Sequence, residues 1–238
     1  MLTSRKFRER WIMNRSFLEE LKTWIKMKPS FRHNWRSFEN LSHHENFRRL
    51  GWNTFLYETL SGFVTGRDIL ILGGYKGESA SEWCKHGPLA THIFEPIDDF
   101  SNLLKSRFER DDVHVYNVAA GARNGEVALN LENDATGIKA LGTSVICEQI
   151  SLNDWLQTKN LKMGLTEINI EGGEYDLFES LSKDSIERLG AIAIQFHFSD
   201  EQTAKRRSAI QSRLRESHVN IIDLDLVWSI WIPRAQGN

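Results

Sequence analysis

The sequence predicts a doubly wound α/β domain preceded by a helical N-terminal extension, and three observations carry that expectation. Between Arg67 and Pro96 an apolar run (Ile69 to Leu72) is followed by Gly73-Gly74-Tyr75-Lys76-Gly77. An amphipathic segment (Glu78 to Lys85), a second apolar run (Thr91 to Phe94) and Glu95-Pro96 complete the stretch. That order of strand, glycine turn, helix, strand and acid is a βαβ unit. Downstream, strand-like and helix-like segments keep alternating, as in a parallel sheet covered on both faces. Upstream, Trp11, Phe17, Leu18, Leu21, Trp24 and Ile25 recur at helical spacing and line one stripe. The expected division is a basic helical cap over residues 1–60 and the main domain over 61–238.

Length and composition bound the reading. A chain of 238 residues, 40% hydrophobic and 26% charged, suits one large soluble domain with an appendage. No apolar run approaches the roughly 20 residues that span a bilayer. Asn14, Arg15, Glu19 and Glu20 interrupt Trp11 to Leu21, so no signal peptide is expected there. Cys84 and Cys147 form no metal pattern and suggest no oxidising compartment; a cytoplasmic protein is the expectation. The net charge of −2 hides an asymmetry: residues 1–50 carry 12 Lys/Arg against 5 Asp/Glu, and the remainder is net −9. A basic, Trp-containing segment on an acidic body can touch a membrane surface, an anionic polymer or its own body. Nucleic acid is not expected as a partner, because the body is acidic and no recognised motif is present.

Taken in order, Lys28-Pro29 ends the first helix, and Phe47 to Leu60 reads as a further one. His33, His43 and His44 have no companion ligands at metal spacing and read as surface residues. After the βαβ unit, Asp98 to Glu109 should be a helix with Phe100, Leu103, Leu104 and Phe108 inward. Val113 to Ala119 reads as a third strand, Ala120 to Asn124 as a turn, Glu126 to Leu131 as a strand, and Asn133 to Gly142 as a loop. Val145 to Ile150 is placed to pair with the strand before it. Ser151 with Asp154 marks a helix start. Leu165 to Ile170 and Ala191 to Phe196 are strands, Asp200 to Ser217 a helix, and Val219 to Leu224 with Leu226 to Ile232 a final antiparallel pair.

The βαβ unit also has the chemistry of a nucleotide half-site. Small residues at Gly73, Gly74 and Gly77 let backbone approach a ligand and let the next helix pack close. The start of that helix near Gly77 offers unpaired N–H groups to an anionic group. Glu95, 21 residues past Gly74, can accept from both hydroxyls of a ribose. Doubly wound sheets bind ligands beyond the carboxyl ends of their strands, where Gly73, Glu95, Glu171 and His197 all fall.

Several stretches, in register, resemble the FkbM-type S-adenosylmethionine-dependent methyltransferases. Leu72 to Gly77 resembles the family's first glycine loop, and Phe94-Glu95-Pro96 its "FEP" element. Asn117-Val118-Ala119-Ala120-Gly121 with Gly125 resembles the segment after its third strand. Ser151-Leu152-Asn153-Asp154 resembles its "(S/T)LDD"-like helix start, Ile170 to Glu174 its "VEGAE", and Gln195-Phe196-His197 its "E-x-H". The resemblance covers about Gly51 to the C-terminus. It implies a Rossmann-like, class I fold: seven strands, mostly parallel, with an antiparallel C-terminal pair. It also implies O-methylation of saccharide or natural-product-like hydroxyls, with S-adenosylhomocysteine as product. On this resemblance Gly73, Gly74, Tyr75 and Gly77 border the methionine part of the donor and Glu95-Pro96 the ribose. Asn117, Ala119 and Ala120 lie along the adenine, and Glu171, Glu174 and His197 face the transferring methyl.

Removing a hydroxyl proton needs a base, and His197 is the first candidate because an ordinary imidazole titrates near working pH. Glu171 and Glu174 come second. Three acids of the family pattern are neutral here: Ile71, Asn169 and Gln195. A divalent ion could sit among Glu171, Glu174 and Asn169, but with Asn169 in place of the acid an obligatory metal is not expected. The same losses raise an alternative, a methyltransferase-like module that binds cofactor without turnover. A nicotinamide-dependent oxidoreductase is the other alternative; its fingerprint wants glycine at 72, where this chain has Leu. Acceptor and oligomeric state are not fixed by the sequence.

Overall fold

The computed structural model describes residues 52–132, 135–137, 143–197, 201–223 and 228–234. The expected helical stripe near Trp11, the three histidines and much of the 132–144 loop lie outside them. Of the expected Phe47–Leu60 helix, the part from Trp52 is described and belongs to α1 (Trp52–Val64).

Phe63–Asn238 forms one compact unit. Its centre is a seven-stranded sheet. β1 (Ile69–Leu72), β2 (Thr91–Phe94), β3 (Val113–Tyr116), β8 (Leu165–Ile168) and β9 (Ala191–Gln195) are parallel. β11 (Trp228–Pro233) runs antiparallel between β9 and β10 (His218–Asp223). The order is β10-β11-β9-β8-β1-β2-β3. Every residue of β1, β2 and β8 is buried, as in strands covered on both faces, which is why β1 reads as an apolar run rather than an alternating one. The chain leaves β1 toward β2 on one side and later returns to place β8 on the other. The crevice between β1 and β8 is therefore the topological switch point, where open α/β sheets take ligands.

The helices are α2 (Glu78–Cys84), α3 (Asp98–Arg107), α4 (Leu152–Lys159), α5 (Glu174–Ser180), α6 (Lys183–Arg188) and α7 (Glu201–Ser217). The expected cap of α4 is present: Ser151 Oγ accepts the Asp154 N–H at 3.2 Å. The main core gathers Leu70, Leu72, Phe94, Trp155, Ile168, Phe178, Ile194 and Leu214.

Four expectations need correction. The third strand stops at Tyr116, and Ala119–Gly121 is a separate short strand, β4, in a second sheet ordered β4-β7-β5-β6. There β5 (Gly125–Glu132) pairs antiparallel with β7 (Thr143–Ser151), the pairing the sequence suggested. The expected turn at Ala120 instead pairs with Ile150, since small side chains do not prevent a ladder. Ala135–Gly137, expected as loop, pairs with β5 as β6. In α3 the buried line runs Ile97, Ser101, Leu104, Phe108, at spacings of four, three and four; Leu103 falls off it and is 43% exposed.

Candidate active site

The strand ends are level. Leu72 pairs with both Phe94 and Ile168, and Ile168 with Ile194, so Gly73, Glu95, Asn169 and Gln195 emerge along one edge. Gly73 has φ +88°, and a Cβ there would lie 2.0 Å from the Asn169 carbonyl oxygen. Glycine is thus demanded by the approach of β1 to β8. At Gly74 a Cβ would lie 2.5 Å from Ile93 Cγ2 and 2.7 Å from Leu104 Cδ1, so this position serves the close packing of β2 and α3. Gly73→Ala is expected to destabilise the protein by about 2 kcal/mol or more, read as a lower urea midpoint at unchanged m.

Glu95 joins two turns. Its Oε2 accepts the Tyr75 N–H at 2.8 Å and its Oε1 the Ile97 N–H at 2.9 Å. Burial, at 5% exposure, pushes its carboxyl up, and those two hydrogen bonds pull against the rise. Each oxygen keeps further acceptor capacity. Tyr75 has φ +46° and its ring meets Phe100 edge-on at 4.6 Å. Ile97 packs with Leu129 and Cys147 of the second sheet, so an apolar wall stands beside Glu95. Asn117 directly follows β3 and donates to Asp98 Oδ1 at 2.6 Å. Ala119 and Ala120 belong to β4 of the second sheet, and Pro96 is half-buried between Glu95 and Ile97.

Across the switch point, the structure brings Glu171, Glu174 and His197 together. His197 Nε2 is 3.0 Å from Glu171 Oε2, and its Nδ1 is 3.3 Å from Glu174 Oε1. Glu174 is fully buried; it also accepts the His197 N–H at 2.6 Å and the Gly172 N–H at 2.8 Å. With both oxygens engaged by the chain, Glu174 orients His197. Glu171 is partly exposed and has φ +49°, an uncommon conformation for a residue with a side chain. Burial alone would lower the His197 pKa, but the hydrogen bonds and charges of Glu171 and Glu174 outweigh it and carry it up to about 9. At neutral pH the imidazole is therefore charged and ion-paired. Because this folded value lies above the ordinary 6.5, the stability it contributes is complete below pH 6.5 and is lost as pH rises through about 9. Urea midpoints are expected to fall over that window, and Glu171→Gln to flatten the fall.

Asn169 Oδ1 is buried without a hydrogen-bond partner among the described residues. Also among these residues, no group of three or more His, Cys, Asp or Glu is placed to hold a metal ion, and no helix is long and apolar enough to cross a membrane.

Neither a protein-family profile nor a curated protein sequence matches the chain. Solved structures do. A protein from Clostridium thermocellum, proposed to be an rRNA methylase, aligns with a TM-score of 0.50 at 8% identity, over 77% of this chain and 96% of that one. The fold is that of a Rossmann-like methyltransferase. An rRNA methylase from Streptococcus thermophilus aligns with a TM-score of 0.49 at 7% identity, over 76% of this chain and 95% of that one. The N-methyltransferase NodS from Bradyrhizobium japonicum, in complex with S-adenosylhomocysteine, gives 0.46 at 10% identity, over 92% and 98%.

Within this methyltransferase fold, one group near the site was not anticipated. Glu167, on β8, is buried and accepts from Ser79 Oγ at 2.6 Å and from the Trp83 indole N–H. Burial pushes its carboxyl up, against the pull of those two donors. In sequence the only sign is an acid inside the expected strand Leu165 to Ile170. Ile71, where an acid was looked for, is its neighbour across the register.

Proposed function

We propose that this chain transfers a methyl group from S-adenosylmethionine to a hydroxyl of a saccharide or natural-product-like acceptor. The observation that carries the cofactor half is the Glu95 carboxylate, set at the switch-point edge and tied to the glycine loop through the Tyr75 N–H at 2.8 Å. It retains acceptor capacity for two ribose hydroxyls, and the apolar wall of Ile97, Leu129 and Cys147 suits a nucleobase beside it. The residues present thus fit the cofactor, which supplies a methyl already activated by the sulfonium. The chain's part is to align acceptor and donor and to take the acceptor's proton. On this reading Glu171 and His197 face the acceptor, and Glu174 holds His197 in place.

A second reading is a module that binds the cofactor without turnover. It is favoured by the protonated state of His197 at neutral pH, which leaves the first candidate base already occupied.

Calorimetric titration of S-adenosylhomocysteine and of NAD tests the cofactor half. Binding of the first and not the second is expected; binding of NAD alone would replace the proposal with an oxidoreductase. Acceptors are then screened with labelled donor against oligosaccharides, phenolic natural products and structured RNA. RNA belongs in the panel because a proposed rRNA methylase shares the fold. Methylation of RNA and not of hydroxylated small molecules would overturn the acceptor assignment. Donor binding with no transfer to any acceptor supports the second reading.

A further inference from the structure

Glu167 stands where the sheet alone has no use for an acid. Its register neighbours are Ile71 on β1 and Ala193 on β9, and Ile168 follows it in a fully buried strand. A buried carboxyl is costly unless its oxygens are satisfied, and an apolar side chain of similar size would serve packing at least as well. Both oxygens are satisfied, and both donors come from one element: Ser79 and Trp83 lie on α2. Gly77 caps that helix, and Ser79 sits in its first turn, directly after the glycine loop. On the other side, Glu167 precedes Asn169 by two residues on the strand whose end Gly73 packs against.

We propose that Glu167 is a positioning residue of the cofactor site: from β8 it grips Ser79 and Trp83, fixing the first turn of α2 and the Gly73–Gly77 loop. The strand that leads to Asn169 and Glu171 thereby sets the place of the loop that meets the donor. Glu167 touches no reacting atom in this role; it acts through α2. The inference rests on the cofactor reading above for its consequence, and on α2 alone for its mechanism.

Two measurements separate these. Amide hydrogen exchange of residues 73–79 is followed without ligand in the wild type, Glu167→Gln, Ser79→Ala and the double variant. S-adenosylhomocysteine is then titrated into each. Ser79 is only partly buried, so Ser79→Ala is expected to fold even if Glu167→Gln does not. Exchange across the loop and first turn is expected to speed in Ser79→Ala and Glu167→Gln, with protection of β8 and β9 retained. Affinity is expected to fall about tenfold in Glu167→Gln, and the double variant to bind as Glu167→Gln does, since both changes cut one connection. A purely structural acid would lower stability throughout without this local exchange or this non-additivity. Unchanged exchange at 73–79 in Ser79→Ala overturns the proposal, as do losses that multiply in the double variant. A wild type that binds no S-adenosylhomocysteine sinks the cofactor reading, while the exchange data still decide whether Glu167 positions α2.

Discussion

Glu95→Ala is expected to lose at least about tenfold in affinity for S-adenosylhomocysteine, and about a hundredfold or more if both ribose hydroxyls are held. Each charge-assisted hydrogen bond contributes roughly 1.5–3 kcal/mol, and about 1.4 kcal/mol is a factor of ten. The same carboxylate also closes the Tyr75 and Ile97 turns. Its removal leaves two backbone donors without their acceptor, at about 1–3 kcal/mol each. The two effects separate in Glu95→Gln. The amide oxygen can still take one of the two N–H groups, so stability by urea unfolding should recover in part. The amide nitrogen cannot accept from a hydroxyl, so affinity should stay low. A Glu95→Gln variant that binds as tightly as the wild type would show that Glu95 only braces the turns.

What the sequence made legible is what rests on chain order and spacing. The βαβ unit, the edge position of Glu95 and the reversed last strand pair follow from apolar runs punctuated by glycine and acid. The contacts across strands were not legible in the same way. The glycine at 73 is needed because the Asn169 carbonyl lies across from it, and that neighbour is almost a hundred residues away. Glu167 carries no periodic signal: within Leu165 to Ile170 it is one of three polar positions, with Thr166 and Asn169, and only the arrival of Ser79 and Trp83 gives it a role. In the sequence Ala119 reads as the end of the third strand and Ala120-Gly121 as the start of a turn, because the residues are small; the partner that makes Ala119–Gly121 a strand, Gln149–Ser151, comes from a later hairpin. His197 is the first candidate base in the sequence because an ordinary imidazole titrates near neutral pH. The sequence put two glutamates nearby, but their distances of 3.0 and 3.3 Å, which reverse its charge state at neutral pH, belong to the fold.

That reversal yields the sharpest test of the chemistry. An imidazole that takes a hydroxyl proton must first be neutral. With a pKa of about 9, only about one molecule in a hundred has a neutral His197 at pH 7. Turnover of whichever acceptor the screen yields is therefore expected to rise about tenfold per pH unit from 7 toward 9 and then level. Glu171→Gln removes one of the two carboxylates that hold the proton, so the break should move down toward 6.5 and the rate at pH 7 should increase. His197→Ala should lose on the order of 10²- to 10⁴-fold on the plateau, the usual contribution of a positioned general base. A flat profile between pH 7 and 9 would remove His197 from the proton transfer. The partly exposed Glu171 would then be left as the acceptor of the proton, with the imidazolium as its counter-charge. In that case Glu171→Gln abolishes turnover instead of accelerating it at pH 7, so one variant at one pH decides between the two.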